Sequence, residues 1–249
     1  MAVFRIQIAG YTAAVTSIFD STRDYCRNYL TEEPSDFSVA VTRENLEFEQ
    51  EALRREAEEE GMRIRTFTDP FLERAAIQRA VAEYLFDRKI LMLHGSAVAA
   101  DGKGYLFTAD CGTGKSTHTR LWRQLLGDRA VMVNDDKPFA QIREDGVRLW
   151  GAPWSGKHGL DTNITVPLKG ICILQRGREN RIRRIAPEEA AEMLRKQSYQ
   201  PLDAKKEKTY RILLEKLMEK VPLWELECTK DLRAAAVAYE AMAAEALEK

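Results

Sequence analysis

The sequence predicts a mixed α/β fold. Strand-like apolar runs and amphipathic helical segments follow one another along the 249 residues, and one pair of apolar runs carries a hairpin signal. Hydrophobic residues make up 45% of the chain. That fraction supports a sizeable core, either in one large domain or in one domain with a small appendage.

Composition and charge exclude several classes of protein. The 38 basic and 39 acidic side chains leave a net charge of -1, so no nucleic-acid partner is expected. No stretch approaches the roughly 18 apolar residues of a membrane helix, and the N-terminus lacks a signal-peptide cleavage pattern. The four cysteines form no CxxC pair, which disfavours a zinc ribbon or disulfide scaffold and favours a reducing, cytoplasmic location. They are Cys26, Cys111, Cys172 and Cys228.

Residues 1–88 are expected to form a smaller N-terminal α/β region. The run VFRIQIAG alternates, with Phe4, Ile6 and Ile8 on one side, and predicts a strand. A short helix at STRDYCRNYLTEE and a strand at FSVAV follow. The segments ENLEFEQEALRREAEEEG and TDPFLERAAIQRAVAEYLFDR then predict two helices, the first with a largely solvated surface.

Residues 89–249 are expected to form the main domain with a helical C-terminal tail. ILMLHGSAVAADGKGYLFTAD predicts a hairpin, with ADGKG as its turn. A helix is predicted at GKSTHTRLWRQLLG, and strands at AVMVNDD, GVRLWGAPW, ITVPLKGICIL and RIRRI. In the tail, PEEAAEMLRKQ, KTYRILLEKLMEKV and LRAAAVAYEAMAAEALEK predict helices, and LWELEC alternates like an edge strand.

The stretch ADCGTGKSTHTRLW predicts a phosphate-binding loop. Gly112 and Gly114 allow the backbone to approach an anion, Lys115 supplies charge and the Ser116 hydroxyl can ligate Mg²⁺. The loop lies between a predicted strand and a predicted helix, so the helix N-terminus also faces the anion. The motif usually opens with glycine, and Ala109 is tolerated there if its φ is negative. The candidate nucleotide-binding residues are Asp110, Cys111, Gly112, Thr113, Gly114, Lys115, Ser116 and Thr117.

Two further features indicate catalysis at this loop. A buried strand runs into Asn134, Asp135 and Asp136, where Mg²⁺ and a catalytic base are expected in a phosphoryl-transfer enzyme. His94 is expected to end the strand that precedes the loop strand, which would bring it beside the phosphates.

Together these residues resemble the superfamily of HPr kinase/phosphorylase and ATP-dependent phosphoenolpyruvate carboxykinase. HGSAV with its hairpin, then CGTGKST, then NDD follow the superfamily's order, and WGAPWSGKHG resembles its next glycine-containing segment. The resemblance covers about residues 90–175. It implies a mixed-sheet nucleotide-binding core, ATP and Mg²⁺ as cofactors, and a superfamily in which homo-oligomers are common.

The departures from the superfamily pattern concern the acceptor. Thr117 stands where HPr kinase carries an acid, and neither the C-terminal signature for its protein substrate nor an arginine-based oxaloacetate site is found. The chain is therefore expected to be an HPr-kinase-related protein and not HPr kinase itself. The expected acceptor is a hydroxyl-bearing small molecule, peptide or protein.

The leading hypothesis is an ATP-dependent kinase. Lys115 would hold the β- and γ-phosphates, Ser116 and Asp136 would hold Mg²⁺, and Asp135 would accept the hydroxyl proton beside His94. The two aspartates could exchange roles.

On the acceptor side, WGAPWSGKHG at 150–159 predicts a shaped loop. Its Lys157 would offset charge on the transferring group and its Trp154 would exclude water. A tight core turn with packed tryptophans and a solvated Lys157 is the alternative for this segment. For the whole chain, the alternatives are a nucleotide-binding regulatory module without turnover and carboxykinase-like activity.

Overall fold

The computed structural model describes residues 1–59, 61 and 63–245. The chain divides into two compact units, one from Met1 to Leu85 and one from Phe86 onward.

In the described residues of the N-terminal unit, a three-stranded sheet is accompanied by three α-helices. Its strands, in the order β1-β2-β3, are β1 (Ala2–Ile8), β2 (Tyr11–Ser17) and β3 (Phe37–Ala40), with β1/β2 antiparallel and β2/β3 parallel. Its helices are α1 (Asp20–Tyr25), α2 (Arg43–Glu59) and α3 (Asp69–Phe86). Ala9 and Gly10 join β1 to β2, both with positive φ as a tight hairpin requires.

A buried carboxylate fixes the start of α1. Glu73 of α3 is fully buried, and it accepts hydrogen bonds from the backbone N–H groups of Ile18 and Phe19 and from the Thr22 hydroxyl. A buried charge is tolerated only when its lone pairs are satisfied, so Glu73 serves as a structural group within this unit.

The second unit is built on a nine-stranded sheet. Its strands are β4 (Ile90–Met92), β5 (Ser96–Ala100), β6 (Lys103–Thr108), β7 (Ala130–Asn134), β8 (Phe139–Arg143), β9 (Gly146–Trp150), β10 (Thr165–Arg176), β11 (Arg181–Arg184) and β12 (Leu223–Cys228). Its helices are α4 (Lys115–Leu126), α5 (Pro187–Lys196), α6 (Glu207–Lys220) and α7 (Leu232–Glu245).

The sheet is mixed, as the sequence predicts. Its order is β4-β8-β9-β10-β6-β5-β7, and β12 pairs with β10 and β11. The long β10 is parallel to both β6 and β12, whereas its first residues pair antiparallel with β9. The hairpin β5–β6 turns at Asp101 and Gly102, again with positive φ at both positions.

Helices cover both faces of this sheet. Along β10, Ile171 and Ile173 join a core cluster that includes Leu194 of α5 and Leu217 of α6. The alternate residues of β10, Cys172 and Leu174, join a second cluster with Leu121 and Trp122 of α4 and with Ala235 and Ala238 of α7. Because side chains alternate along a strand, both faces of β10 are buried.

The structure corrects one expectation about this unit. LWELEC is not an edge strand, because β12 lies between β10 and β11 with Leu223, Trp224 and Leu226 buried. The C-terminal tail is therefore part of the sheet as well as helical. Within the described residues, no helix is both long enough and apolar enough to cross a membrane.

Candidate functional site

The loop of residues 109–116, called here the phosphate-loop candidate, joins the end of β6 to the start of α4. Gly112 has φ 74° and Gly114 has φ 128°, backbone conformations that L side chains rarely adopt. The Lys115 Nζ donates to the Ala109 carbonyl at 2.9 Å, and burial lowers the Lys115 pKa. The first N–H groups of a helix lack intrahelical partners, so this end of α4 can bind an anion.

Ala109 fits the loop without backbone strain. It is fully buried. The described non-glycine residues with positive φ are Ala9, Lys89 and Asp101, so Ala109 meets the condition under which alanine is tolerated.

Two cations from distant parts of the chain hold the phosphate-loop candidate. Arg176, at the end of β10, donates to the Gly112 carbonyl at 2.6 Å. Lys196, at the end of α5, pairs with the Asp110 carboxylate at 2.7 Å. Sequence reasoning missed both residues, because they are 64 and 86 positions from their partners. Cys111 and Ser116 are exposed on the loop.

Asn134 ties the acidic segment to the loop that follows β9. Its buried side-chain amide donates to the Ala152 and Trp154 carbonyls at 2.7 and 3.2 Å. Its Oδ1 accepts from the backbone N–H groups of Asp136 and Lys137. Asn134 thereby fixes the backbone from which the candidate catalytic carboxylates project, a role that sequence reasoning did not assign.

Asp135 is linked to the first turn of α4. Its carboxylate is 8% exposed and accepts from the Ser96 hydroxyl at 2.6 Å. Ser96 Oγ and Thr119 Oγ1 lie 2.7 Å apart, and Thr119 Oγ1 is also 3.3 Å from the Ser116 carbonyl oxygen. This chain of contacts connects Asp135 to the turn that carries the Ser116 hydroxyl.

Asp136 has different neighbours. Its Oδ1 lies 3.4 Å from His94 Nε2. Burial, with the charges of Lys137 and Lys115, lowers the pKa of His94 to about 2, so the ring is neutral and this contact is no ion pair. Burial also raises the pKa of Asp136, and the charges of Lys137 and Lys115 partly offset that rise. Lys137 is a charged neighbour of this site that sequence reasoning missed.

His94 does not end the strand before the loop strand. It lies in the connection between β4 and β5, where its N–H donates to the Gln197 carbonyl at 2.7 Å and the Gly95 N–H donates to the Asp136 carbonyl at 2.9 Å. These irregular bonds interrupt the apolar run, so that β4 pairs with β8 and β5 pairs with β6 and β7. Because the chain leaves the sheet between β4 and β5, His94 lies next to Asp136.

The segment 150–159 passes beside Asp136. Gly156 has φ 68°, and a Cβ placed there would lie 3.4 Å from the Asp136 Cβ. Lys157 follows in a short 3₁₀ turn and is exposed. Trp154 is 5% exposed and packs edge-to-face on Phe139, with ring centroids 6.4 Å apart. Trp154 therefore lies in the core and not at the wall of the site, and with the exposed Lys157 this agrees with the core-turn alternative.

The oxygen donors near the phosphate-loop candidate suit Mg²⁺. Among the described residues, no group of three or more His, Cys, Asp or Glu side chains could hold a metal by itself. A hydroxyl at Ser116 and the two neighbouring carboxylates are hard oxygen ligands. Mg²⁺ in phosphate sites takes one or two such ligands and completes its shell with phosphate oxygens and water. The donor set therefore fits a metal that arrives with a phosphorylated ligand.

The chain was compared with known protein families, curated proteins and solved structures. The model of a family described as SynChlorMet cassette protein ScmC matches residues 71–231, which is more than half of the chain and includes every candidate site residue. No curated protein matches. A solved structure of the Hpr(Ser) kinase/phosphatase from Coxiella burnetii is similar with a TM-score of 0.36 and 12% identity, over 63% of this chain and 94% of that chain. This is a distant structural relationship.

Proposed function

The chain belongs to the family described as SynChlorMet cassette protein ScmC, and we propose that it is an ATP-dependent kinase that transfers a phosphoryl group to a hydroxyl. One observation carries the proposal. The phosphate-loop candidate carries a lysine, Lys115, whose charged surroundings include the Asp136 carboxylate. Asp136 in turn lies against a neutral histidine, His94. Phosphoryl transfer needs this combination of charge neutralisation and a positioned proton acceptor.

Lys115 and the N–H groups at the start of α4 bind the terminal phosphates in this proposal. The Lys115 Nζ, held by the Ala109 carbonyl at 2.9 Å, exchanges that neutral partner for phosphate oxygens. The ammonium group attracts the negative phosphate oxygens more strongly than a neutral carbonyl, which favours the exchange.

Ser116 and Asp135 hold Mg²⁺ in this proposal. When bound, the metal neutralises charge on the phosphates. The links from Asp135 through Ser96 and Thr119 to the turn of Ser116 support this side for the metal. The sequence left the roles of the two aspartates open, and these contacts favour Asp135 over Asp136 as the metal-side carboxylate.

Asp136 accepts the proton of the acceptor hydroxyl. Asp136 is half-buried, whereas Asp135 is buried. Burial raises the Asp136 pKa, which makes it a better base than a free aspartate. The deprotonated oxygen forms a bond to the γ-phosphorus as the bond to the bridging oxygen of ADP breaks. His94 orients the Asp136 carboxylate from 3.4 Å.

Lys157 offsets negative charge on the transferring group from the acceptor side. Its exposure and its position next to Gly156, which faces Asp136, support this role. The acceptor enters over the 155–157 turn and is a hydroxyl-bearing small molecule, peptide or protein.

The first test measures nucleotide binding. Calorimetric titration with Mg-ATP should show binding to the wild type that Lys115→Ala weakens at least tenfold, since a cation facing phosphates is lost. Lys216→Ala, an exposed lysine of α6, is the matched control and should bind as the wild type does. Equal affinity in Lys115→Ala would refute the loop assignment.

The second part of the test seeks the acceptor. The protein is incubated with ATP and with serine, peptides and small hydroxy compounds, and products are identified by mass spectrometry. A phosphorylated acceptor formed by the wild type and not by Asp136→Asn supports the kinase. ATP binding without any transfer across such a panel would favour a regulatory module.

A further inference from the structure

Lys137 is a half-buried cation close to the phosphate-loop candidate. It directly follows Asp136 in the connection between β7 and β8. Its backbone N–H donates to the Asn134 Oδ1 at 2.6 Å and to the Trp154 carbonyl at 3.2 Å. Asn134 and Trp154 are themselves buried, so the backbone from which the Lys137 side chain projects is firmly held.

The Lys137 ammonium differs from the other cations described at this loop. Lys115, Arg176 and Lys196 each have a partner in the phosphate-loop candidate. Among the described residues, the Lys137 ammonium forms neither a hydrogen bond nor an ion pair. A charge that is partly withdrawn from water is unfavourable unless an opposite charge compensates it. An anionic group of a ligand would supply that compensation.

The groups that respond to the Lys137 charge show where the ammonium lies. Burial is the main cause of the lowered pKa of His94 and of the raised pKa of Asp136. At both groups the Lys137 charge acts more strongly than the Lys115 charge. Burial chiefly lowers the pKa of Lys115 itself, and the Lys137 charge adds to that effect. Because such effects weaken with distance, Lys137 lies on the Asp136 side of Lys115 and still within its reach.

We propose that Lys137 is a catalytic residue whose ammonium contacts the phosphoryl group during its transfer. The inference rests on the proposed function, in which Lys115 holds the γ-phosphate and Asp136 accepts the proton of the acceptor hydroxyl. The acceptor oxygen forms a bond to the γ-phosphorus while the bond from phosphorus to the bridging oxygen of ADP breaks. Negative charge is then spread over the three equatorial oxygens of the transferring group, and a cation beside them stabilises it.

The position of Lys137 favours the transition state over bound ATP. The γ-phosphorus moves away from the loop and toward the acceptor oxygen as the reaction proceeds. A cation on the Asp136 side therefore approaches the equatorial oxygens during transfer. Interactions that are stronger in the transition state than in the ground state are the ones that raise the rate. Lys157 is exposed, whereas Lys137 acts from a held backbone and a half-buried position.

The experiment needs no knowledge of the acceptor. Calorimetry on the full chain compares Mg-ADP, the β,γ-imido analogue of Mg-ATP, and Mg-ADP with aluminium tetrafluoride, which mimics the transferring phosphoryl group. Lys137→Met removes the charge and keeps an apolar stem of similar length. It should weaken binding of the aluminium fluoride complex about ten- to a hundredfold, the loss of one hydrogen bond to a charged group. Its affinity for Mg-ADP should be that of the wild type, and its loss for the imido analogue should be the smaller one.

Two further variants control for charge and for burial. Lys137→Arg keeps the charge and should retain most of the affinity for the aluminium fluoride complex. Lys169→Met removes another half-buried lysine and should bind all three ligands as the wild type does. Lys169 follows Leu168, which pairs with Gly104 near the start of β6, the end of that strand opposite the loop.

Three results would overturn the role of Lys137. They are an unchanged affinity of Lys137→Met for the aluminium fluoride complex, an equal loss for this complex and the imido analogue, and a wild type that binds Mg-ADP but gains nothing from aluminium fluoride. The proposed function fails separately, if Mg-ADP does not bind or if Lys115→Ala leaves its affinity unchanged. Should Lys137→Met not fold, as judged by its melting curve, Lys137→Gln replaces it with the same expectations.

Discussion

His94 and His118 both lie beside the phosphate-loop candidate, yet their surroundings differ. The His94 carbonyl accepts from Thr108 at the end of β6, and its ring faces Asp136. His118 lies on α4 between Phe107 and Trp122. Both rings are neutral, because burial lowers the pKa of His94 to about 2 and that of His118 to about 4.

The pKa values of His94 and His118 are lowered by different causes. The charges of Lys137 and Lys115 add to the effect of burial at His94, whereas burial alone lowers the pKa of His118. The His94 side is therefore a charged site in which changes should act on the reaction rate. The His118 side is an uncharged, buried region in which changes should act on stability.

The largest expected effect concerns the His94 side. Asp136→Asn should lower phosphoryl-transfer turnover by about 10²–10⁴-fold, because it removes the proposed proton acceptor. Mg-ATP affinity should stay within about twofold. The rate is measured in single-turnover assays and the affinity by calorimetry, with Asp145→Asn at an exposed turn as the control. If Asp136→Asn turns over at the wild-type rate, the His94 side has no catalytic role that the His118 side lacks.

A smaller effect is expected at the acceptor side of the same site. Lys157→Ala should lower turnover roughly 10²-fold, the scale of losing one charge-stabilising donor in a transition state. Because Lys157 is exposed, the melting temperature should not change. Lys157→Arg keeps the charge and should restore part of the rate. If Lys157→Ala turns over at the wild-type rate, the 155–157 turn has only a structural role.

The sequence predicted the features of this site that depend on local spacing. Gly112, Gly114, Lys115 and Ser116 lie within five residues, and the strand–loop–helix order around them is also a local pattern. The mixed α/β class followed from periodicity, which reports burial on one or both faces of an element. Asp135 and Asp136 were identified because they directly follow the apolar run that forms β7.

The missed features depend on contacts between distant residues. Arg176 and Lys196 reach the loop from β10 and α5, and no motif in their own neighbourhood indicates a partner. The short strand β8 was missed because Pro138 immediately precedes it and its own run is brief. β12 was assigned to an edge because alternation predicts one exposed face, whereas pairing with both β10 and β11 encloses it.

His118 illustrates the same limit within the motif itself. The sequence places it three residues after Lys115, where a helix position alone does not say which way a ring points. Its burial depends on Phe107 from β6 and on Trp122, which lies one turn further along α4. Only tertiary packing shows that this ring lies in the core.

The smallest expected effect tests the His118 side without any ligand. The folded-state pKa of His118, about 4, lies below its ordinary value of 6.5, so between these values the unfolded chain binds more protons than the folded one. Stability should therefore fall as the pH is lowered through this window. Between pH 7.5 and pH 5 the contribution of His118 amounts to roughly 2 kcal/mol. His118→Gln should remove that share of the pH dependence, measured as the free energy of unfolding in urea at each pH.

His158→Gln, which removes an exposed imidazole, is the control and should keep the wild-type slope of unfolding free energy against pH. The His94 contribution remains in both variants and has the same sign, so the difference between them isolates His118. An unchanged slope in His118→Gln would mean that the ring is not held neutral by burial, and the contrast between the two histidines would then be lost.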